Sequence, residues 1–460
     1  MMRLRHNPLR QTAVLNAVVL LLGLLPAPAA MAADADPLTE NGFAYTLTDT
    51  GAVITEYIGS NPYVTIPETL GGAPVVAIGE EAFSPNHNGK STLTVSIPDT
   101  VTEIGDYAFY DCNALSAVTL PTSLVSIGDY AFAEMAALTT IVIPDTLKEI
   151  GTGCFSQSLK LTSAELPAGV TVIPPLCFDG CKALEVCPIP SGVTQIGNGA
   201  FQYCQKITEI TIPEAVTVIP ESAFRGCSAL KELQIQGRIT ELGILAFSGC
   251  SALQQIPELP YCTVYGSSAF AQCASLTALT IAEGVTVLPD SFAADCAALS
   301  ELKLPSTLTM IGNSAFSGCL ALKAVTLPEG IKELQTFAFG FCTGLETIHL
   351  PHSLQTIATD ALYFSGSVTA YCYENTPAET FCKKSSGFTY VVLPVLADLN
   401  EDGARSVADA ILLARCVTEL AENAPSIPAL SAADRDLDGC LTLLDVISYL
   451  EALTVLSQYT

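Results

Sequence analysis

The sequence predicts a solenoid, a stack of 23-residue coils that each carry one short β-strand, followed by a small all-α domain. Three observations predict it. Cys181, Cys204, Cys227, Cys250, Cys273, Cys296, Cys319 and Cys342 stand 23 residues apart, with Cys112 three periods upstream. Segments such as NALSAVTLPTSLVSIGDYAFAEM (113–135) and AALSELKLPSTLTMIGNSAFSGC (297–319) repeat one apolar pattern between them. After the repeats, two acidic stretches of twelve residues each run into an apolar helical pattern.

Residues 1–32 are read as a signal peptide and set apart from the fold. Arg3, Arg5 and Arg10 precede an apolar run from Ala13 to Leu25, and Ala30-Met31-Ala32 supplies the small-residue cleavage signal. That run is shorter than the roughly 20 apolar residues of a membrane span, and no later stretch reaches that length. The mature chain is therefore expected to be secreted. Removing three arginines and no acid takes the formal charge from −27 to −30, because Asp34 is the first acidic residue. So negative a surface repels nucleic acid and anionic lipid and suits hard cations or neutral and cationic protein partners.

Twelve units of 23 residues tile 90–365. Each begins LxxLxLP, whose apolar-polar alternation marks a strand with one buried face, ended by a proline that cannot donate to a ladder. VxxIGxxAFxxC follows. Stacking equivalent residues of successive coils builds continuous columns of Leu, Ile, Phe and Cys that no single unit could bury. The cysteine column reads as small buried hydrophobes with inert thiols, since Met135, Ser158 and Ser365 hold the same place in other units. Local distortions are expected where Phe292 comes one place early and where Pro257 enters a strand.

Residues 33–89 are expected to form an N-terminal cap with a degenerate first repeat, and 366–393 a C-terminal cap of strand, helix and strand. Cys372 and Cys382 could pair there or stay free, as could Cys416 and Cys440. The pattern LxxLxLPxxLxxIGxxAFxxC resembles the BspA-type leucine-rich repeat family. That resemblance implies a leucine-rich repeat solenoid, commonly an interaction scaffold.

The tail, 394–460, carries calcium chemistry in its spacing. In DRDLDGCLTLLD, Asp434, Asp436 and Asp438 alternate, Gly439 permits the sharp turn, Cys440 offers its carbonyl, and Thr442 and Asp445 take the ninth and twelfth places. Thirty-six residues earlier Asp398, Asn400, Asp402, Ala404, Ser406 and Asp409 repeat the plan around Gly403. Six to eight hard oxygens are what Ca²⁺ requires, which makes two sites, the first less certain because Arg405 stands where the second loop has Leu441. Pro394, Pro425 and Pro428 argue against the entering helices of an ordinary EF-hand. A duplicated loop with an exiting helix and aspartate in the twelfth place resembles a type I-like dockerin. The resemblance implies docking to a cohesin domain of a scaffoldin, in a cellulosome or at the cell surface. It also implies cohesin contacts at Val407, Ala408 and Arg415 in the first copy and Leu443, Leu444 and Glu451 in the second.

No HExxH, G-x-S-x-G or phosphate-binding glycine loop occurs, so no catalytic residue is assigned and the chain is read as non-enzymatic. His349 and His352 form a weak HxxH pattern that suits surface polarity better than zinc. Outward strand positions (Thr208, Glu209, Thr211; Lys231, Glu232, Gln234; Ser300, Glu301, Lys303; Glu346, Thr347, His349) are polar, of mixed charge and without tryptophan. A protein ligand suits such a face. Rival readings are a carbohydrate or fibre adhesion protein serving polysaccharide breakdown, and a hydrolase or protease inhibitor, each delivered by the same tail.

Overall fold

The computed structural model describes residues 37–84, 92–385, 389–393, 409–414 and 443–456. The expected leader, 1–32, lies outside them. All but Pro37 of the described residues belong to one unit, Leu38–Thr460.

Successive coils are joined by parallel strands in a register of one repeat. Glu209–Ile212 pairs with Glu232–Ile235, Glu209 opposite Glu232 and Ile212 opposite Ile235. Each LxLP segment thus finds its partner in the next copy of itself. The sequence leads one to expect one such column; the structure has two. A second parallel column forms at VxxI, with Ser126–Ile127 between Glu103–Ile104 and Glu149–Ile150. Strands of two residues are too short to show alternation, which is why only the LxLP strand is legible in the pattern. The Gly after that isoleucine allows close coil approach, since a Cβ on Gly151 would run into the Asp129 amide of the previous coil.

A third ladder runs through the turn between AF and the cysteine. The amides of Tyr107, Phe109 and Asp111 donate to the carbonyls of Asp129, Ala131 and Ala133 at 2.8, 2.8 and 3.0 Å. Aiming alternate amides at the same neighbour requires peptides flipped in pairs. Accordingly Tyr107 and Asp111 sit in the left-handed region, at φ of 55° and 56°. The same two places recur with positive φ along the stack, as at Tyr203, Ser222 and Gly226.

The register generates the core. One phenylalanine per coil, from Phe83 to Phe339, lines a buried column. Most neighbouring rings stack, 4.8–6.0 Å apart and within 6–23° of parallel. The exception is the expected one. Phe292 remains fully buried but meets Phe270 and Phe316 edge-on, at 82° and 84°. Ala293 occupies the column position there, and its carbonyl takes the thiol of Cys319. Around Pro257 the LxLP strand is absent, which interrupts that column between Glu232–Ile235 and Ala278–Thr280.

The cysteine column does more than fill space. All fifteen cysteines among the described residues are free thiols. In coil after coil the thiol donates to the carbonyl of the preceding coil's phenylalanine, as Cys181 to Phe155 at 3.0 Å and Cys227 to Phe201 at 3.1 Å. Ser158 makes the same bond to Phe132 at 2.9 Å, and Ser365 to Phe339 at 2.5 Å. Serine therefore replaces cysteine as a donor of similar size, while Met135 replaces only its bulk. Burial pushes the thiols of Cys112, Cys227, Cys296 and Cys342 up to about 12.

The two ends differ. At the first, Leu38–Glu40, Phe43–Leu47 and Ala52–Tyr57 form antiparallel neighbours, and Tyr57 stacks on Phe83 at 5.3 Å. Ala52–Tyr57 then pairs parallel with Ala73–Ile78, where the second strand column begins. At the other end Thr369–Tyr373 and Thr389–Leu393 extend the first column as parallel strands around the helix Pro377–Lys384. Thr376 caps that helix by accepting from the Glu379 amide, Pro377 starts it, and Ala378, Phe381 and Cys382 turn inward. Cys372 and Cys382 stand as unbridged thiols, with Cys382 donating to the Cys372 sulfur.

Two outcomes follow from these columns. Phe224→Ala removes a ring stacked on both sides, at 5.5 and 5.4 Å, and should cost about 3–5 kcal/mol in urea unfolding. The buried thiols carry a pH signature. Above the ordinary thiol value of 9.0 the unfolded chain releases protons that the folded chain retains. Stability present in full below that pH is thus lost as pH rises towards 12, by about 1.4 kcal/mol per thiol per pH unit. Urea midpoints should fall steeply between neutral and strongly alkaline buffer, and less steeply in a Cys227→Ser/Cys250→Ser variant. Iodoacetamide should spare the column in the native chain and label it after denaturation.

Candidate interaction surfaces

The first surface is the outward face of the LxLP column. Thr208, Glu209, Lys231, Glu232, Gln234, Ser300, Glu301, Lys303 and Glu346 are exposed, while Thr211, Thr347 and His349 are half-buried. The ladder sets them in register, so Thr211 lies beside Gln234 and Thr280 beside Lys303. Hydroxyls at the strand entrances tie coils together, as Ser300 donates to the Thr277 carbonyl at 3.2 Å and Thr277 to that of Gln254 at 3.2 Å. Charge is mixed and weakly paired; Lys323 and Glu346 approach to 3.8 Å with both side chains largely in water. Glu209 beside Glu232 leaves like charges adjacent on this face. It is a polar surface held rigid by the ladder beneath it.

Each histidine of the HxxH pair meets a tyrosine ring. His349 stacks on Tyr371 at 4.5 Å and 19°, and burial lowers its pKa. His352 meets Tyr373 edge-on at 6.2 Å. Among the described residues no group of three or more His, Cys, Asp or Glu converges to hold a metal ion.

A second surface was not anticipated from the strands. Phe337, Phe341, Tyr363 and Phe364 cluster on the turn ladder of the last coils, with centroids 4.3–6.0 Å apart. Phe341, Tyr363 and Phe364 are 42%, 48% and 64% exposed. Phe337, Phe341 and Phe364 also adopt the left-handed conformation, at φ of 53°, 57° and 54°. Bulky residues adopt it at a cost, and the place before the cysteine is glycine in four coils, at Gly180, Gly226, Gly249 and Gly318. That contrast was visible in the sequence, since FGFC and LYFS replace the smaller or polar residues of other copies. Attention to strand-facing positions passed over it.

Beside the ridge lies a cleft of about 1350 Å³ between the last coil and the capping helix. Tyr363 and Phe364 form part of its wall, with Gln355 and Thr359 from the last coil and Asn375 and Lys384 from the cap. No aspartate or glutamate lines it.

The residues expected to bind calcium fall largely outside the described set. Asp398, Asn400, Asp402, Ala404, Ser406, Asp434, Asp436, Asp438, Cys440 and Thr442 lie outside it, as do Val407, Ala408, Arg415 and Cys416. Asp409 is buried at the start of helical residues 409–414. Leu443, Leu444 and Asp445 open the helix Leu443–Leu456, their side chains outside the described set, and Glu451 is exposed on it. The two helical segments meet through Ala410, Leu413, Val446, Tyr449 and Ala452, with Tyr449 fully buried. No helix of the described residues is long and apolar enough to cross a membrane.

Comparison with known proteins bears on the repeats. The profile of the BspA type leucine rich repeat region matches residues 62–185, 171–299 and 263–384. A leucine-rich repeat protein from Bacteroides ovatus is 26% identical, covering 77% of this chain and 99% of its own, with a TM-score of 0.62. A leucine rich cell surface protein from Faecalibacterium prausnitzii is 28% identical over 78% of this chain and 96% of its own, at 0.56. The pneumococcal vaccine antigen PcpA, 18% identical over 78% of this chain and 99% of its own, shares the fold at 0.52. No curated protein matches the sequence. With profile matches spanning well over half its length, in coils of the same period and register, the chain belongs to the BspA-type leucine-rich repeat family.

Proposed function

We propose that this protein is a secreted, non-catalytic interaction scaffold whose solenoid offers a rigid polar face to a protein ligand. Its tail plugs, in the manner of a type I-like dockerin, into the cohesin domain of a scaffoldin, placing the solenoid on a cellulosome or at the cell surface. The observation that carries this is the duplication in the tail. Two acidic loops with oxygen donors at matching places each run into a helical segment, and those segments pack on one another. The similarity to a leucine rich cell surface protein from Faecalibacterium prausnitzii supports an extracellular setting.

The donor set suits calcium, since every side chain offered is a carboxylate, amide or hydroxyl oxygen and the seventh place needs only a carbonyl. Asp398, Asn400, Asp402, Ala404, Ser406 and Asp409 would hold one ion, and Asp434, Asp436, Asp438, Cys440, Thr442 and Asp445 the other. The ion supplies only cross-linking of the loop. The chain supplies recognition, through Val407, Ala408 and Arg415 or Leu443, Leu444 and Glu451. Unequal size and charge in the two sets predict one preferred orientation of docking.

Immobilised type I cohesins should capture the mature chain in calcium and release it in chelator. Asp434→Ala/Asp438→Ala should abolish capture without moving the solenoid's own melting transition. Capture that ignores the chelator overturns the reading.

A further inference from the structure

The cleft at the end of the stack is walled by the last coils and the C-terminal cap. We propose that it is a binding site for a neutral oligosaccharide, which stacks on Phe364 and Tyr363 and is held by Gln355, Thr359 and Asn375. The inference stands on the solenoid and is independent of how the chain is anchored.

Charge comes first. In a chain with 46 acidic and 19 basic residues, no carboxylate lines this cleft and one lysine does. An anionic ligand would be repelled by the chain as a whole, and a cationic one would find no counter-charge here. A neutral ligand meets neither obstacle.

The polar groups narrow the class. Gln355, Thr359 and Asn375 are exposed, and their side chains form no hydrogen bond within the described part of the chain. Amides and hydroxyls both donate and accept, which matches ligands whose hydroxyls do the same. Polar side chains alternate with apolar ones along its wall, so a ligand there meets hydrogen-bonding groups beside apolar surface. At about 1350 Å³ it exceeds the usual range for small-molecule pockets, roughly 300–1,000 Å³, and accommodates several linked sugar rings.

The aromatic wall supplies the platform. Phe364 is the last ring of the ridge; Phe341 stacks against it at 5.8 Å and 23°, yet 64% of it is exposed, and it borders the cleft. Its left-handed backbone is met elsewhere by glycine without loss of the ladder. The fold thus has no need of a ring at this place, and holding one there carries strain. A flat apolar surface beside polar groups suits the flat C–H face of an equatorially substituted pyranose.

Isothermal titration of the whole mature chain with cellohexaose, xylohexaose and mannohexaose, with oligogalacturonate as an acidic control, tests this. At least one neutral hexasaccharide should bind, about tenfold or more weakly in Phe364→Ala. A Gln355→Ala/Asn375→Ala variant, which leaves the rings in place, should also weaken it. Both variants alter exposed side chains, so unchanged melting temperatures establish that the fold is retained. Heat from none of the neutral sugars at millimolar concentration, affinity untouched by either variant, or binding of the acidic sugar alone overturns the proposal. Cohesin capture, measured on the same samples, reads the tail separately.

Discussion

Everything described rests on the hydrogen-bond register of one repeat. Amide groups of each coil meet carbonyls of the next in three places: the two strand columns and the turn ladder through Phe and Cys. Because the offset is one repeat throughout, identical positions are superposed and sequence similarity becomes spatial contact. The left-handed pair in each turn belongs to the same constraint, since without it alternate amides could not all point at the neighbouring coil.

Two consequences follow for the interior. Rings above rings give a phenylalanine column stable enough to absorb Phe292, which keeps its burial and gives up only parallel stacking. Thiols above thiols remain free, and in most coils the thiol donates to the carbonyl of the preceding phenylalanine. This explains why an extracellular setting is compatible with so many cysteines. Fully buried and pushed to high pKa, they hold little of the thiolate that oxidation requires.

For the exterior, the register turns single residues into stripes. The LxLP face becomes a polar surface whose chemistry changes slowly from coil to coil, suited to a protein partner. The turn ladder carries rings at Tyr107, Tyr110 and Tyr130 in the early coils and again at Phe337, Phe341, Tyr363 and Phe364 in the last, where the capping helix opens a cleft. In the proposed reading, the broad polar face and the concave end engage two kinds of ligand, while the tail serves attachment.

The amino-acid sequence alone determined the repeat length, the LxLP strand, the buried columns and the places where they falter. Each of these is a local pattern multiplied, and multiplication makes a weak signal certain. It did not reveal the second strand column, since two residues are too few to show a period. Nor did it reveal that Cys and Ser share a hydrogen bond, which depends on a carbonyl one coil away. The proposed calcium ligands are legible as spacing alone, whereas the aromatic ridge was legible as a departure from consensus that only geometry made meaningful. What tertiary structure decided is the cleft, whose walls come from Gln355 and Phe364 on one side and Asn375 and Lys384 on the other. No spacing announces it, because it exists only where the last repeat meets a cap that does not repeat.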